Sequence, residues 1–589
     1  MMRAYKTLHL LIIYLFLLID PVISSDSRPN IVFVLTDDQG WDDIGFNKNI
    51  LIDTPNLDRF ARDGVQMQNF YVNPVCSPSR AAFLTGRYPQ RTKVHHVGNW
   101  MATDEATIAK YLYDSGYATG LFGKWHLGDN CPLRPSDKGF EKSVRHLDGQ
   151  FSRPWNKSEY FDPIVFENDI EKQYKGIYCN DLWFDKAESF MKDNITKNRP
   201  FFCYISTNLP HGPNQVPDDL IDKYKKKNLG EGFARYYGMI EHVDDRFGQL
   251  IDKLIKWGVY DNTLIFFTSD NGNAFKSPGI ILKTLRGKKG DVYDGGVRVP
   301  AVWGGGIIKE SGKLKEITAH VDFMPTVLEV CGVALPTDRK IDGKSLWSLL
   351  QNDSQEWSQR LVFIRHGFPE EKDLPESYEF CAVRGQKFKM VQQRGWDNTH
   401  IGNPEKPEFE LYDMDKDPGE YYNISTMHPI IVEEYRKAFN LWWQDIRSER
   451  SDEQFVDPRE RLHIGSNENP FDFRNWDERI RVTILDEGPY NITIRPILRP
   501  TWKQFKAYQE EYVSRGNGYV RFSVGDIMIE KKVKPNDKEW IINNIKLPIG
   551  DHILFKHLAV DTDIEKVTKY NWNDKKFAVR PIQLLISKK

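Results

Sequence analysis

The stretch NIVFVLTDDQG (30–40) is an apolar, β-branched run that stops abruptly at two aspartates and a turn. A run with no polar alternation is the pattern of a strand buried on both faces, and such strands belong to parallel sheets covered by helices. TLIFFTSDNGN (263–273) repeats the form and ends in Asp270 and Asn271. Helix-like stretches lie between and around these runs, at 54–64, 106–115, 181–192 and 232–257. The alternation predicts an α/β fold, a mostly parallel sheet sandwiched by helices. Ligands of such sheets gather outside the carboxyl ends of the strands. Asp37, Asp38, Asp270 and Asn271 all fall at ends of that kind.

The pattern changes along the chain. Residues 26–345 carry the α/β signal. From 346 to 450, RLVFIRHG, FCAVRGQKFKMVQQ and FELYDMDKDPGE read as antiparallel strands, and PIIVEEYRKAFNLWWQDI as the helix that covers them, a smaller α+β subdomain. A charged, proline-bearing stretch at 451–470 reads as a linker. Residues 471–589 hold short strand-like runs separated by turn residues, the pattern of a β-sandwich-like accessory domain. At the other end, Arg3 and Lys6, the apolar run Leu8 to Ile19 and the small residues before 25 read as an export signal over 1–25. The apolar run is too short for the roughly 20 residues a membrane span needs, so a periplasmic or secreted protein with no membrane span in the mature chain is expected.

Lys and Arg total 81 against 83 Asp and Glu, a formal net charge of −2. That balance excludes a nucleic-acid binder of the polybasic kind, so any anion site must be local. The six cysteines are scattered, with no C-x-x-C, which argues against a cysteine zinc site. Five N-x-S/T sequons, at Asn156, Asn194, Asn352, Asn423 and Asn491, are candidate glycosylation sites.

One cysteine stands apart. In YVNPVCSPSRAAFLTGRYP (71–89), Pro78 suits the first turn of a helix that Gly86 can end. Cys76 then sits at a helix N-terminus, where free N–H groups attract anions, and Arg80 follows one turn later. The carboxylates offer hard oxygens, a set that suits Ca²⁺ or Mg²⁺ and not zinc. A thiol is a poor ligand for such a cation, so a cysteine beside that set is a chemical mismatch.

Cys76-Ser77-Pro78-Ser79-Arg80 running on to Thr85-Gly86-Arg87 resembles the signature of the sulfatase family. TDDQGWDDIG (36–45), GKWHLG (123–128), LPHGP (209–213), TSDNG (268–272) and LRGKKGDVYDGGVRVP (285–300) are similar to further family motifs, in the family's order, and the likeness covers roughly residues 28–445. The catalytic region is most similar to exported bacterial polysaccharide sulfatases. The resemblance implies an alkaline-phosphatase/sulfatase-like fold. It implies that Cys76 is converted by a maturation enzyme to formylglycine, whose hydrated aldehyde supplies an oxygen nucleophile. This removes the mismatch.

The resemblance also implies the roles. Asp37, Asp38, Asp270, Asn271 and the converted residue 76 would hold one cation, Ca²⁺ first and Mg²⁺ second. Arg80, Lys124 and Lys289 would neutralise the sulfate. Lys289 is preferred to Lys288 by its distance from Tyr293-Asp294-Gly295-Gly296. His211, with Lys289, would protonate the leaving oxygen, and His126 would then deprotonate the second hydroxyl so that a covalent sulfo-enzyme releases sulfate. The substrate implied is a sulfated carbohydrate of algal type, such as ulvan, carrageenan or fucoidan. Two segments, RPSDKGFEKSVRHLDGQ (134–150) and RHGFPEE (365–371), lie where the family's variable substrate contacts fall. Asp42, Asp43, Asp244 and Asp245 are expected at the surface or in caps, and His95, His96 and His242 are given no role. Two alternatives remain: a phosphodiesterase or phosphonate hydrolase of the same superfamily, and a non-catalytic glycan-binding relative.

Overall fold

The computed structural model describes residues 28–449 apart from 98, 130–131, 148, 150–158, 275–283, 353–356, 358, 368–379 and 393–408, and beyond 449 the backbone of nine strands. The expected signal segment and Cys131 lie outside the described residues. Ten strands form one sheet: β1 (Asn30–Thr36), β2 (Val65–Tyr71), β3 (Ala118–Lys124), β4 (Lys142–His146), β5 (Ile164–Glu167), β6 (Ile170–Gln173), β7 (Phe201–Ser206), β8 (Thr263–Ser269), β9 (Ala301–Gly304) and β10 (Gly312–Ala319). Their order is β10-β2-β9-β8-β1-β7-β3-β4-β5-β6. The central run β8-β1-β7-β3-β4 is parallel throughout, while β9, β5 and β6 run antiparallel to their neighbours.

The uninterrupted apolar character of β1 has the predicted cause. Val32 and Val34 pack on one face with the helices Pro55–Asp63, Cys179–Thr196 and Glu231–Lys256. Ile31, Phe33 and Leu35 pack on the other with the helices Cys76–Thr85, Ile108–Asp114 and Phe323–Val330. Each face has its own core, so every position of the strand is apolar. Phe33 stacks on Tyr204 of the neighbouring β7, with ring centroids 4.8 Å apart.

A separate antiparallel sheet is built from Val362–Arg365, Cys381–Arg384, Phe388–Gln392 and Glu410–Asp413. The helix Pro429–Glu449 covers it with Phe439, Trp442, Trp443 and Ile446. Beyond it the nine strands form a five-stranded and a four-stranded sheet. Arg461–Ile464, within the stretch expected as linker, is a strand. Trp540–Lys546 is another that the pattern did not suggest, because Asn543 and Asn544 interrupt its apolar alternation.

No helix among the described residues is long and apolar enough to cross a membrane. The described cysteines, Cys76, Cys179, Cys203, Cys331 and Cys381, are all buried.

Candidate active site

Four adjacent parallel strands, β8, β1, β7 and β3, end at the same edge of the sheet, and each delivers polar groups there. Asp37 and Asp38 follow β1, Asp270 and Asn271 follow β8, Lys124 closes β3, and His211 lies in the loop after β7. The helix that begins at Cys76 follows β2 and brings its N-terminus to the same edge. Lys124 can lie this close because Gly123 precedes it, with φ 116°; a β-carbon there would meet Ser206 O of β7 at 2.0 Å.

The site is dense with buried charge. Arg80 grips the Asp270 carboxylate through Nε at 2.9 Å and Nη2 at 2.7 Å. Lys124 Nζ lies 2.6 Å from Asp37 Oδ2, and Lys289 Nζ 2.6 Å from Asp38 Oδ1. Asn271 Nδ2 donates to Asp38 Oδ1 at 2.7 Å, and the Asp38 N–H donates to Asp270 Oδ1 at 3.2 Å. His211 Nε2 stands 3.7 Å from Asp38 Oδ2. Cys76 Sγ lies 3.4 Å from His126 Nδ1. All ten residues singled out in the sequence therefore meet in one cluster, although they are spread over more than 250 positions of the chain. Asp38 and His126 both adopt left-handed backbone, with φ 68° and 62°. Such conformations cost free energy and concentrate at working sites.

Protonation follows from burial and from the neighbouring charges. Burial and the adjacent Asp37 push the Asp270 carboxyl up to about 6. Burial opposes ionisation of Asp38 as well, but Lys289 and His211 beside it hold that carboxyl well below the usual range. Burial also raises the Cys76 thiol, so the sulfur itself is no ready nucleophile. Desolvation, followed by the cations Lys124 and Arg80, drives His126 well below the ordinary histidine range. Its ring is therefore neutral, and the same burial and cations oppose its protonation. His211 is lowered to about 4 by burial, partly offset by Asp38. Its Nδ1 lies 2.6 Å from Gly212 O, which can only accept. Nδ1 thus carries a proton, and Nε2 is the atom that can exchange one.

The residues fit a hard divalent cation. Asp37 Oδ1 and Asn271 Oδ1 are fully buried and accept no hydrogen bond among the described residues. One oxygen each of Asp37 and Asp270 and the sulfur of Cys76 lie within 4.8 Å of one another. Buried oxygens without donors are costly unless something else satisfies them, and an all-oxygen set calls for Ca²⁺ or Mg²⁺.

A family model described as Sulfatase matches residues 29–333. The chain belongs to the sulfatase family. A second model, N-sulphoglucosamine sulphohydrolase, C-terminal, matches residues 288–438 of this sulfatase. Arylsulfatase J of Mus musculus is 30% identical over 453 residues, covering 69% of this chain and 74% of that protein. N-acetylgalactosamine-6-sulfatase of Mus musculus is 32% identical over 348 residues, covering 54% of this chain and 65% of that protein. Among solved structures, that of Ps i-CgsB in complex with k-i-k-neocarrahexaose has a TM-score of 0.63 at 25% identity, over 73% of this chain and 96% of that one. Phosphonate monoester hydrolase of Agrobacterium radiobacter shares the fold, with a TM-score of 0.51 at 18% identity. This sulfatase is accordingly a sulfuric ester hydrolase.

Several sequence expectations need correction. In 134–150, expected to be substrate-facing, Lys142–His146 is strand β4 of the central sheet, and Arg145 is buried against Asp129 and Asp169. The expectation for 365–371 stands uncorrected: Arg365 is buried over the Trp443 ring, His366 is buried against Gly290 O beside Lys289, and 368–371 fall outside the described residues. Asp43 is buried rather than at the surface. It accepts hydrogen bonds from the Gly40 N–H at 2.9 Å and from Tyr236 OH at 2.8 Å, and so braces the turn that carries Asp38. Asp244 does cap a helix, accepting from the Asn56 and Leu57 N–H groups, but from full burial. Gly149 was missed altogether. Its α-carbon packs so close to His126 that a β-carbon would meet the ring at 2.1 Å. The only sequence signal for that contact was a glycine in a loop.

Proposed function

We propose that this sulfatase is exported and removes sulfate ester groups from a sulfated polysaccharide or oligosaccharide of algal type, with residue 76 working as formylglycine and Ca²⁺ as the resident cation. The observation that carries the reading is the mismatch at Cys76. A thiol raised by burial lies against His126 and within 4.8 Å of two buried carboxylates. Sulfur is a poor partner for that set, and an oxygen in its place is a good one. The glycan part is supported by the likeness to a structure solved with neocarrahexaose.

The chain's own residues divide the work. Asp37, Asp38, Asp270 and Asn271 would hold the cation, which when bound polarises a sulfate oxygen and favours an ionised hydroxyl on residue 76. Arg80 and Lys124, both fully buried, supply fixed positive charge where the sulfate must sit. Placed in a dry site before the reaction, they stabilise developing charge without reorganisation. His126, neutral and within reach of residue 76, takes a proton from it when sulfate is released. His211 Nε2 and Lys289 Nζ flank Asp38. Both would face the leaving oxygen: Lys289, held as the ammonium by Asp38, has the proton to deliver, and His211 shares that role only once Nε2 is protonated.

Peptide mass spectrometry across residue 76 tests the first part, where the aldehyde is expected in place of the thiol. Parallel assays of inorganic sulfate and phosphate release from matched aryl esters test the second. Faster phosphate release would replace the sulfatase reading with phosphoester or phosphonate hydrolysis.

A further inference from the structure

The cluster is closed inward and open on one side. Asp37, Asp270, Arg80 and Lys124 have no exposed side-chain surface, and Cys76 is 2% exposed. Solvent reaches Lys289, 19% exposed, His211, 16% exposed, and the half-buried His126. A sulfate bound among the buried cations must therefore send its alcohol portion out past these three. Two imidazoles are tied to the residue that follows Lys289, one directly and the other through it. His366 Nδ1 lies 3.0 Å from the carbonyl oxygen of Gly290, the residue after Lys289. The Gly290 N–H in turn donates to Pro74 O at 2.8 Å, two residues before Cys76. The His96 ring stacks on His366 with centroids 5.2 Å apart and planes 9° apart. A backbone bond of 3.0 Å from the Gly367 N–H to His95 O straps the two segments together.

The tautomer of His96 follows from its hydrogen bond. Nδ1 lies 2.9 Å from Val97 O, which accepts only, so Nδ1 bears the proton. In the neutral ring Nε2 is then an acceptor, and His96 is exposed. Burial, with the nearby His96 adding to it, pushes His366 down to about 4, so that ring is neutral.

We infer that His96, backed by His366, is a wall of the subsite for the sugar that carries the sulfate, and that His96 Nε2 accepts a hydrogen bond from a free ring hydroxyl of that sugar. The inference rests on the sulfatase reading above and adds a substrate class to it: a sugar with an unsulfated hydroxyl beside the sulfate. With Nδ1 engaged by Val97 O, an accepting Nε2 in that place favours a hydroxyl over a second sulfate or a carboxylate, which bring only acceptors of their own.

The test compares wild type, His96→Ala and His96→Phe on 4-nitrophenyl sulfate and on galactose, N-acetylgalactosamine, glucosamine and fucose monosulfates. His96 is exposed, so neither change threatens the core. For the best monosulfate, the ratio of its kcat/KM to that for the aryl sulfate should fall about tenfold in His96→Ala, mainly through KM. His96→Phe, which keeps the stack but not the acceptor, should show the same fall. A ratio unchanged within twofold in His96→Ala, or retained in His96→Phe, overturns the inference. So does a wild type that turns over the aryl sulfate and no monosulfate. A wild type that releases sulfate from neither kind of substrate breaks the sulfatase reading itself, and the inference falls with it.

Discussion

Two buried ionic clusters lie within one molecule and differ in what they leave open. At the sheet edge, Asp37, Asp38 and Asp270 face Arg80, Lys124 and Lys289. Behind it, Lys389 lies 2.7 Å from Asp294 and 2.8 Å from Glu420, with the Asp294 N–H donating to Glu420 at 2.6 Å. Tyr71 OH donates to Asp294, and Arg384 Nε donates to Tyr71 at 2.7 Å. Both clusters balance their charges. The second ties β2, the turn after the Lys289 loop and the small sheet to one another; both Asp294 oxygens have partners, and Glu420 Oε1, which accepts no hydrogen bond among the described residues, is met by Lys389 as an ion pair. The first leaves Asp37 Oδ1 and Asn271 Oδ1 without donors or counter-cations among the described residues and sets Asp37 against Asp270. A charge cluster that holds a fold closes on itself, whereas one that binds a ligand keeps unsatisfied atoms aimed at the place the ligand takes.

The strongest way to break this comparison is at residue 76. Cys76→Ala should abolish sulfate release, a loss of at least about a thousandfold, while circular dichroism and thermal melting stay near wild type. Retained turnover would remove residue 76 from the chemistry and leave the open cluster without its nucleophile.

The two clusters should next trade places under parallel substitutions. Lys389→Met strands two buried carboxylates and should cost about 3–5 kcal/mol of stability in denaturant titrations. Asp37→Asn should instead remove activity and, in chelator, leave stability close to wild type. Ca²⁺ should raise the melting temperature of wild type and not that of Asp37→Asn, by an amount set by concentration over Kd, about 2.7 kcal/mol at a hundredfold excess. Stoichiometric zinc by elemental analysis, with melting indifferent to Ca²⁺, would show that the open oxygens serve something else.

Within the open cluster the two histidines should separate by leaving group. His211→Ala should lower activity on a sulfated saccharide about ten to a hundredfold more than on 4-nitrophenyl sulfate, because an alkoxide needs the proton and a nitrophenolate hardly does. His126→Ala should slow both substrates toward a common kcat. Leaving-group sensitivity that followed His126 would exchange their roles.

The smallest effect belongs to the closed cluster. Burial, with Asp294 close by and Lys389 opposing, pushes Glu420 up to about 7 from an ordinary value of 4.5. Between those values the folded state binds more protons than the unfolded one. The Glu420 contribution is therefore fully present below the unfolded value and is lost as pH rises through neutrality. Stability should fall over pH 5–7, by at most about 1.4 kcal/mol per pH unit, and Glu420→Gln should flatten that slope. A slope that survives the substitution would assign it to another group.

How much was legible depended on whether the signal was local. The β1 and β8 runs, the helix start at Cys76 and the acidic strand ends were readable because burial on two faces and a helix terminus each impose a pattern on consecutive residues. Charged residues in 134–150 misled for the converse reason. Composition marks Arg145 as polar, but only its partners Asp129 and Asp169 show it to be buried. His96 carried no signal in the chain, because its neighbour His366 is 270 positions away, and Gly149 none, because its reason is the ring of His126.

From the sequence alone came the parallel α/β class, the carboxylates at the strand ends and the chemical mismatch of a thiol among hard oxygens, since each depends on residue type and short-range order, while Lys124, His126, His211 and Lys289 came through the family resemblance. Only the tertiary structure decided which carboxylate pairs with which cation, which oxygens stay open, and on which side the site meets solvent. Those depend on distances across strands far apart in the chain, and Coulomb and hydrogen-bond energies are functions of distance, not of sequence position.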